Sequence, residues 1–391
     1  MVRVLHVITG LDVGGAETML ARLLEHGRRH PELCAEVVSL MPPARGHARV
    51  AATGTPVAHL DMAAGVPSPR ALVMLARAIV RRRPDVIVAW MHHAQLAATL
   101  AAGLARAWVR VPVVWNVRHS LGGLAEEKLL TRLVLRMQAL LSPTARAIVY
   151  NSRVAADQYA RIGFRSRDQR VITNGFDLAQ MAPRVEARAI LLARLGVAGD
   201  LPLIGMVARA APMKDAPNLL RAFARARDAG LDARLVLVGK GMDEGSATCA
   251  AAHGLPADRV VRVGHRDDVG DWLGGLDVLA LPSAWGEGFP NIVGEAMLAG
   301  VPCVATDVGD ARDLIGGTGM VVPPRDPDAL AAALLRLGGM TAAQREALGA
   351  RARDRIATHH DIRDVADRYA ALCRDAVLPA PRARSWAGSR A

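Results

Sequence analysis

Aromatic side chains are scarce: Phe, Trp and Tyr together make up 3% of the 391 residues. That scarcity argues against single-stranded nucleic acid, whose bases are held on rows of ring faces. No zinc-finger spacing or RNA-binding signature is present either, so no nucleic-acid partner is expected. Cysteine is also sparse. Cys34, Cys249, Cys303 and Cys373 are scattered without a CxxC pair, which excludes a disulfide framework and fits a reducing cytosol. No apolar run reaches the roughly 18–20 residues that a membrane-crossing helix needs. The opening "MVRVLHVITG" runs into glycine too early for a secretory signal. The expected location is cytoplasmic, at most peripheral on the inner face of the cytoplasmic membrane. GxGxxG, a Walker loop and short-period repeats are missing as well.

What is present is a long, alanine-rich, basic chain. Hydrophobic residues are 51%, charged residues 22%, and the net charge is +12. This composition buries cores, and the length calls for two of them. The positive charge calls for an anionic partner. Strand-like apolar runs at 2–9, 35–41, 57–62, 85–90, 111–117 and 145–152 alternate with helical patterns such as 69–83, 93–108 and 124–141. After Asn174-Gly175 and a short helix at 183–195, a second series follows at 201–208, 233–239, 258–264, 277–282, 301–306 and 319–324. Continuous apolar strands between helices read as parallel sheets covered on both faces. The expected fold is α/β, with two doubly wound Rossmann-like domains at 1–172 and 178–356. A C-terminal helix at 357–376 returns to the first domain, and a disordered tail spans 379–391.

Such sheets bind ligands at the carboxyl ends of their strands, and chemistry-bearing residues cluster there. "EGFPNIVGE" places Glu287 in the loop after strand 277–282 and Glu295 inside the following helix, with Pro290 expected in its first turn. Gly288 and Phe289 offer backbone N–H groups between the two carboxylates. Donors in the middle and hydroxyl-binding carboxylates on either side match a diphosphate flanked by two sugars; two solvated surface glutamates would match the spacing equally well. "ARAAPMKD" puts Arg209 and Lys214 just past another strand end, where paired cations stabilise a departing diphosphate. Gly14-Gly15 precede the first helix and allow close backbone approach, or serve only as a tight turn. His119 in "NVRHS" follows a strand end, as do His92 and His93. The DxD spelling at 326–328 precedes an alanine-rich helix and reads as an N-cap, not a metal site.

Together "GGAE", "NVRH", "NGFD", the cations of "ARAAPMKD" and "EGFPNIVGEAMLAGVPCVATDVGD" resemble glycosyltransferase family 4, across about residues 2–376. The resemblance implies the GT-B fold, with the two domains facing a central cleft. It implies metal-independent transfer with retention of anomeric configuration and no cofactor. The donor is a UDP- or GDP-sugar. Carried over by position, Glu287 meets the transferred sugar and Glu295 the ribose hydroxyls. Phe289 and Asn291 supply amides, while Arg209 and Lys214 hold the diphosphate. His119 touches the donor sugar, Gly15 approaches the phosphates, and Arg266 lines the base pocket. Two departures stand out: "AAPMKDA" lacks a glycine after the lysine, and "WGEG" replaces a commoner serine-rich stretch.

Residues 101–170 hold twelve Arg and Lys against four Asp and Glu. Lys128, Arg132 and Arg136 share a helical face beside Leu129, Leu133 and Met137, the pattern of a helix lying on an anionic membrane or of a solvated face over an ordinary core. A lipid-linked or glycan acceptor in cell-surface polysaccharide or lipopolysaccharide synthesis follows from the membrane alternative. A sugar-nucleotide epimerase of the same fold and a non-catalytic sugar-nucleotide binder are the competing functions.

Overall fold

The computed structural model describes residues 1–12, 14–63, 68–121, 129–179, 186–197, 199–243, 253–266 and 268–377. Lys128, Cys249 and the expected tail at 379–391 lie outside the described residues. The chain divides into two compact units, Met1–Gly175 with Ile362–Ala391, and Phe176–Asp361.

The first unit holds β1 (Val2–Ile8), β2 (Leu33–Ser39), β3 (Val57–His59), β4 (Val86–Trp90), β5 (Val113–Val117), β6 (Ala147–Tyr150) and β7 (Gln169–Val171). All pair in parallel, in the order β3-β2-β1-β4-β5-β6-β7. Side chains alternate between the faces of a strand, and both faces are filled. Val4, Ile8, Val88 and Trp90 enter one core; Leu5, Val7, Ile87 and Ala89 enter the other. The final helix Ile362–Val377 closes the first of these faces with Ile362, Val365, Tyr369 and Leu372. Its Tyr369 ring stacks on Trp90, with centroids 6.1 Å apart. β7 was not anticipated, because a three-residue edge strand bearing Gln169 and Arg170 has no apolar run to announce it.

The second unit holds β8 (Leu203–Val207), β9 (Arg234–Val238), β10 (Val260–Val263), β11 (Val278–Leu281), β12 (Cys303–Thr306) and β13 (Met320–Val322), again all parallel, in the order β10-β9-β8-β11-β12-β13. In both sheets the order reverses direction once, between β1 and β4 and between β8 and β11. Ligands of open α/β sheets sit outside the carboxyl ends of the strands at such a switch point.

The unit boundaries differ from the expected 1–172 and 178–356. Helix Ala342–His359 runs past residue 356 inside the second unit, and the chain rejoins the first unit only at Ile362. Packing sets these points. The Phe176 N–H donates to the His360 carbonyl at 2.8 Å. The Phe176 ring lies where Gly294 has no side chain: a Cβ there would come within 2.1 Å of it. Gly175 in turn packs on the Ile362 backbone, where a Cβ would come within 2.7 Å.

Helix Leu129–Leu141 buries Val134, Leu135 and Gln138. Its other face leaves Leu129, Leu133 and Leu140 exposed by 79%, 54% and 81%, with Leu130 and Met137 also exposed. Leu129, Leu130, Leu133 and Leu140 therefore point outward, while Leu135 enters the core. Among the described residues no helix is long and apolar enough to cross a membrane.

Candidate active site

At the switch point of the second sheet, the segments leaving β8 and β11 meet. After β8, the chain makes a 3-10 turn over Pro212–Lys214, and Asp215, in left-handed backbone at φ 46°, caps helix Ala216–Asp228 by accepting from the Asn218 N–H at 3.3 Å. This turn delivers the Lys214 ammonium to the Glu287 carboxylate, with which it forms an ion pair. Ser283 Oγ donates to the same carboxylate oxygen at 2.6 Å. The loop carrying Ser283 and Glu287 is fixed from two further sides. The Ala284 N–H donates to the Met213 carbonyl at 2.8 Å, and Thr306 Oγ1 donates to the Ser283 carbonyl at 2.5 Å. Gly309, after β12, lies so close that a Cβ there would stand 2.1 Å from the Glu287 carbonyl oxygen, and the Asp310 N–H donates to the Gly288 carbonyl at 2.9 Å. The ends of β8, β11 and β12 thus hold one buried carboxylate against one lysine, an arrangement that fixes both charges in place without solvent reorganisation.

The other anticipated residues of this unit are distributed around that pair. Helix Asn291–Leu298 begins one residue later than expected: Pro290 is its N-cap, at φ −76° and ψ 90°, rather than a member of its first turn. Gly288 is buried in the loop, and Asn291 and Glu295 are half-buried on the helix. The Phe289 ring faces the core, 5.2 Å from the His360 ring and 6.2 Å from Phe176, which leaves its backbone as the part facing the loop. Arg209 is exposed beyond β8, in a segment bound to that leaving β9 through Ala210 N–H to Lys240 carbonyl at 2.8 Å. Arg266, past β10, is exposed and lies over the Trp272 ring at 5.3 Å, while Trp272 Nε1 donates to Asp268 at 3.0 Å. Asp326 caps helix Pro327–Gly338, accepting from Asp328 and Ala329 N–H at 3.1 and 2.9 Å. Among the described residues no three His, Cys, Asp or Glu form a metal-sized group.

In the first unit, helix Gly15–Gly27 starts directly after its N-cap, Gly14. The Glu17 carboxylate folds back against Gly14, so that a Cβ there would come within 2.5 Å of it. Burial, first of all, holds its pKa above the usual carboxylate range. Past β5, Arg118 donates to Asn174 Oδ1 and to the Tyr369 hydroxyl, and lies over the Trp90 ring at 5.5 Å. Burial lowers its pKa. His119, half-buried beside it, meets the His92 ring edge-on at 6.4 Å. His92 is stacked on Tyr159 and 2.9 Å from its hydroxyl. Met91 just before it has left-handed backbone, φ 66°, a costly state for a side-chain-bearing residue.

Several of these groups escaped sequence reasoning. Ser283 and Thr306 had a weak signal, each standing at the end of an apolar strand. Glu17 and Asn174 lay inside quoted motifs without a role. Gly309 and Tyr369 had none, because their importance lies in what they approach.

The profile described as Glycosyltransferase Family 4 matches residues 13–180, and that described as Glycosyl transferases group 1 matches residues 201–339. The chain is 26% identical over 307 residues to the putative glycosyltransferase EpsF of Bacillus subtilis, covering 78% of this chain and 79% of that protein. It is 29% identical over 173 residues to an Escherichia coli UDP-Gal:alpha-D-GlcNAc-diphosphoundecaprenol alpha-1,3-galactosyltransferase, covering 43% and 44% of the two chains. Among solved structures, Anabaena HepE in complex with UDP and glucose superposes with a TM-score of 0.82 at 22% identity, over 96% of this chain and 100% of the other.

Proposed function

Since this chain belongs to the glycosyltransferases of family 4 and group 1, with the GT-B fold, we propose that it moves a sugar from a nucleoside-diphosphate sugar to a glycan or lipid-linked acceptor, retaining anomeric configuration and using no metal. The carrying observation is the buried Lys214–Glu287–Ser283 cluster at the β8/β11 switch point. In the reaction the bond from the sugar's anomeric carbon to the phosphate oxygen breaks. A bond to the acceptor oxygen forms on the same face, and the acceptor's proton passes to the leaving phosphate. The developing diphosphate charge falls to Lys214 and the exposed Arg209, aided by the amides of Gly288 and Phe289 before the Pro290 cap and of Asn291 after it. Glu287, fixed by Lys214 and Ser283, takes a hydroxyl of the transferred sugar, and Glu295 takes the ribose. Arg266 lines the base pocket. For the first unit the proposed roles are contact of His119 with the sugar and close approach of Gly14 and Gly15 to phosphate.

HepE was solved with UDP and glucose, and the Escherichia coli relative is named for a diphosphoundecaprenol-linked acceptor. Both support a UDP-sugar donor here, and the Escherichia coli relative supports a lipid-linked acceptor in cell-surface polysaccharide or lipopolysaccharide synthesis. The outward leucines of helix Leu129–Leu141, with Arg136 exposed among them and a basic surplus around them, support peripheral binding to the cytoplasmic face of an anionic membrane. The test is thermal unfolding against a panel of UDP- and GDP-sugars. Ligand at about a hundred times its Kd adds ~2.7 kcal/mol of stability. At least one member should raise Tm in the native chain and fail to do so in Lys214→Ala; a panel without effect refutes the proposal.

A further inference from the structure

Within the loop that presents Glu287 one residue breaks the pattern. Of the ten residues 281–290 nine are buried, and the exception is Trp285, the largest side chain of the ten and one of only six tryptophans in the chain. A half-open indole keeps part of a large apolar ring face available for contact. Part of the ring is covered by Arg325, past the end of β13, whose guanidinium carbon lies 5.2 Å from the Trp285 ring centroid. Arg325 reaches that place from left-handed backbone, φ 60°, a conformation costing a side-chain-bearing residue about 1–2 kcal/mol. Backbone strain of this kind persists where the surroundings enforce it, and it clusters at ligand sites. Gly286, at φ 79°, makes the bend that turns the chain from Trp285 to Glu287. The loop on both sides of Trp285 is anchored, at Ala284 to Met213 and at Glu287 to Lys214, so the backbone that carries the indole is held in place.

We propose that Trp285 is a sugar platform: its indole face stacks against the C–H face of the transferred pyranose while Glu287 binds a hydroxyl on the ring edge, and Arg325 fixes the indole orientation. This rests on the donor reading above and goes beyond it, since it adds to Glu287 and His119 an apolar contact by which the protein distinguishes a nucleotide sugar from the bare nucleotide. An indole face is apolar and electron-rich, the complement of a ring face lined with polarised C–H groups. A carboxylate two residues along complements the hydroxyls that ring its edge. The occupant chosen is the donor's pyranose, because Trp285 is covalently tied to the loop that carries Glu287.

The test measures binding of UDP, GDP and their sugar conjugates to the full chain by calorimetry, with tryptophan fluorescence in parallel. Native protein should bind a nucleotide sugar more tightly than its bare nucleotide, with a fluorescence change specific to the conjugate. Trp285→Ala should weaken the conjugate about three- to ten-fold, the range of an aromatic contact, and leave the bare nucleotide unchanged. Trp285→Phe should restore most of the affinity but lose the fluorescence change. Arg325→Gly, which accepts the left-handed backbone freely, should show an intermediate loss. Equal affinities of Trp285→Ala and native protein for the conjugate, or an equal loss for conjugate and nucleotide, overturn the platform while leaving the donor site intact. Failure of the native chain to bind any nucleotide or conjugate overturns both readings, and sensitivity to Trp285 confined to acceptor binding overturns the choice of occupant.

Discussion

Removing Lys214 tests the site most directly. Its side chain is 17% exposed and that of Glu287 10% exposed, so the pair is largely out of water. Deleting one member of a fully buried pair destabilises by about 3–5 kcal/mol, because the other charge is stranded. Residual exposure and the Ser283 hydrogen bond reduce this, so Lys214→Ala should lose ~2 kcal/mol. For a unit of this size that is a Tm decrease of about 4–8 °C. Turnover should drop by at least about ten-fold, corresponding to ~1.4 kcal/mol of transition-state stabilisation. The double variant Lys214→Ala/Glu287→Ala separates the two effects. Removing the stranded carboxylate should return part of the stability, giving a coupling energy of ~1 kcal/mol or more in a double-mutant cycle, while activity stays low. Thermal unfolding and donor consumption are the assays. Additive stability losses, or native turnover in Lys214→Ala, refute the coupled pair.

Gly309→Ala should cost ~2 kcal/mol or more and sharply reduce turnover, since its φ of 61° is left-handed and its Cβ would strike the Glu287 carbonyl; a native-like Tm and activity would remove Gly309 from the site. His6 is buried and accepts from Trp90 Nε1 through Nδ1 at 3.1 Å, and burial lowers its pKa from 6.5 to about 4. The unfolded chain takes up this proton first, so stability should decline by up to ~3 kcal/mol as pH falls from 6.5 to about 4; His6→Phe should flatten that slope, and an unchanged slope contradicts the assignment. The native chain should co-sediment with anionic phospholipid vesicles at low salt. Leu133→Glu/Leu140→Glu should weaken this several-fold, because each exposed leucine inserted contributes up to about 2 kcal/mol. Equal sedimentation of native and variant chains counts against membrane docking through that helix.

The strands were legible because each buried run is apolar on both faces, as in "DVIVAW" and "DVLALP". Their parallel arrangement followed from the helices between them. The glutamate spacing and the two cations were legible because they follow strand ends. β7 and the left-handed Met91 and Arg325 were not, since a short edge strand has no periodicity and strain is imposed by surroundings. The first unit's polar cluster also escaped. Arg118, Asn174 and Tyr369 come from β5's end, the chain crossing and the final helix, and no local pattern links them.

By itself, then, the sequence determined two parallel sheets and the chemical types waiting at their strand ends, because burial and helix capping are local requirements written in periodicity. Tertiary structure alone decided that Lys214 meets Glu287, 73 residues away. The sheet order sets β8 beside β11 and brings the two segments to one point, and packing of Thr306, Gly309 and Asp310 against the Glu287 loop then leaves it a single position.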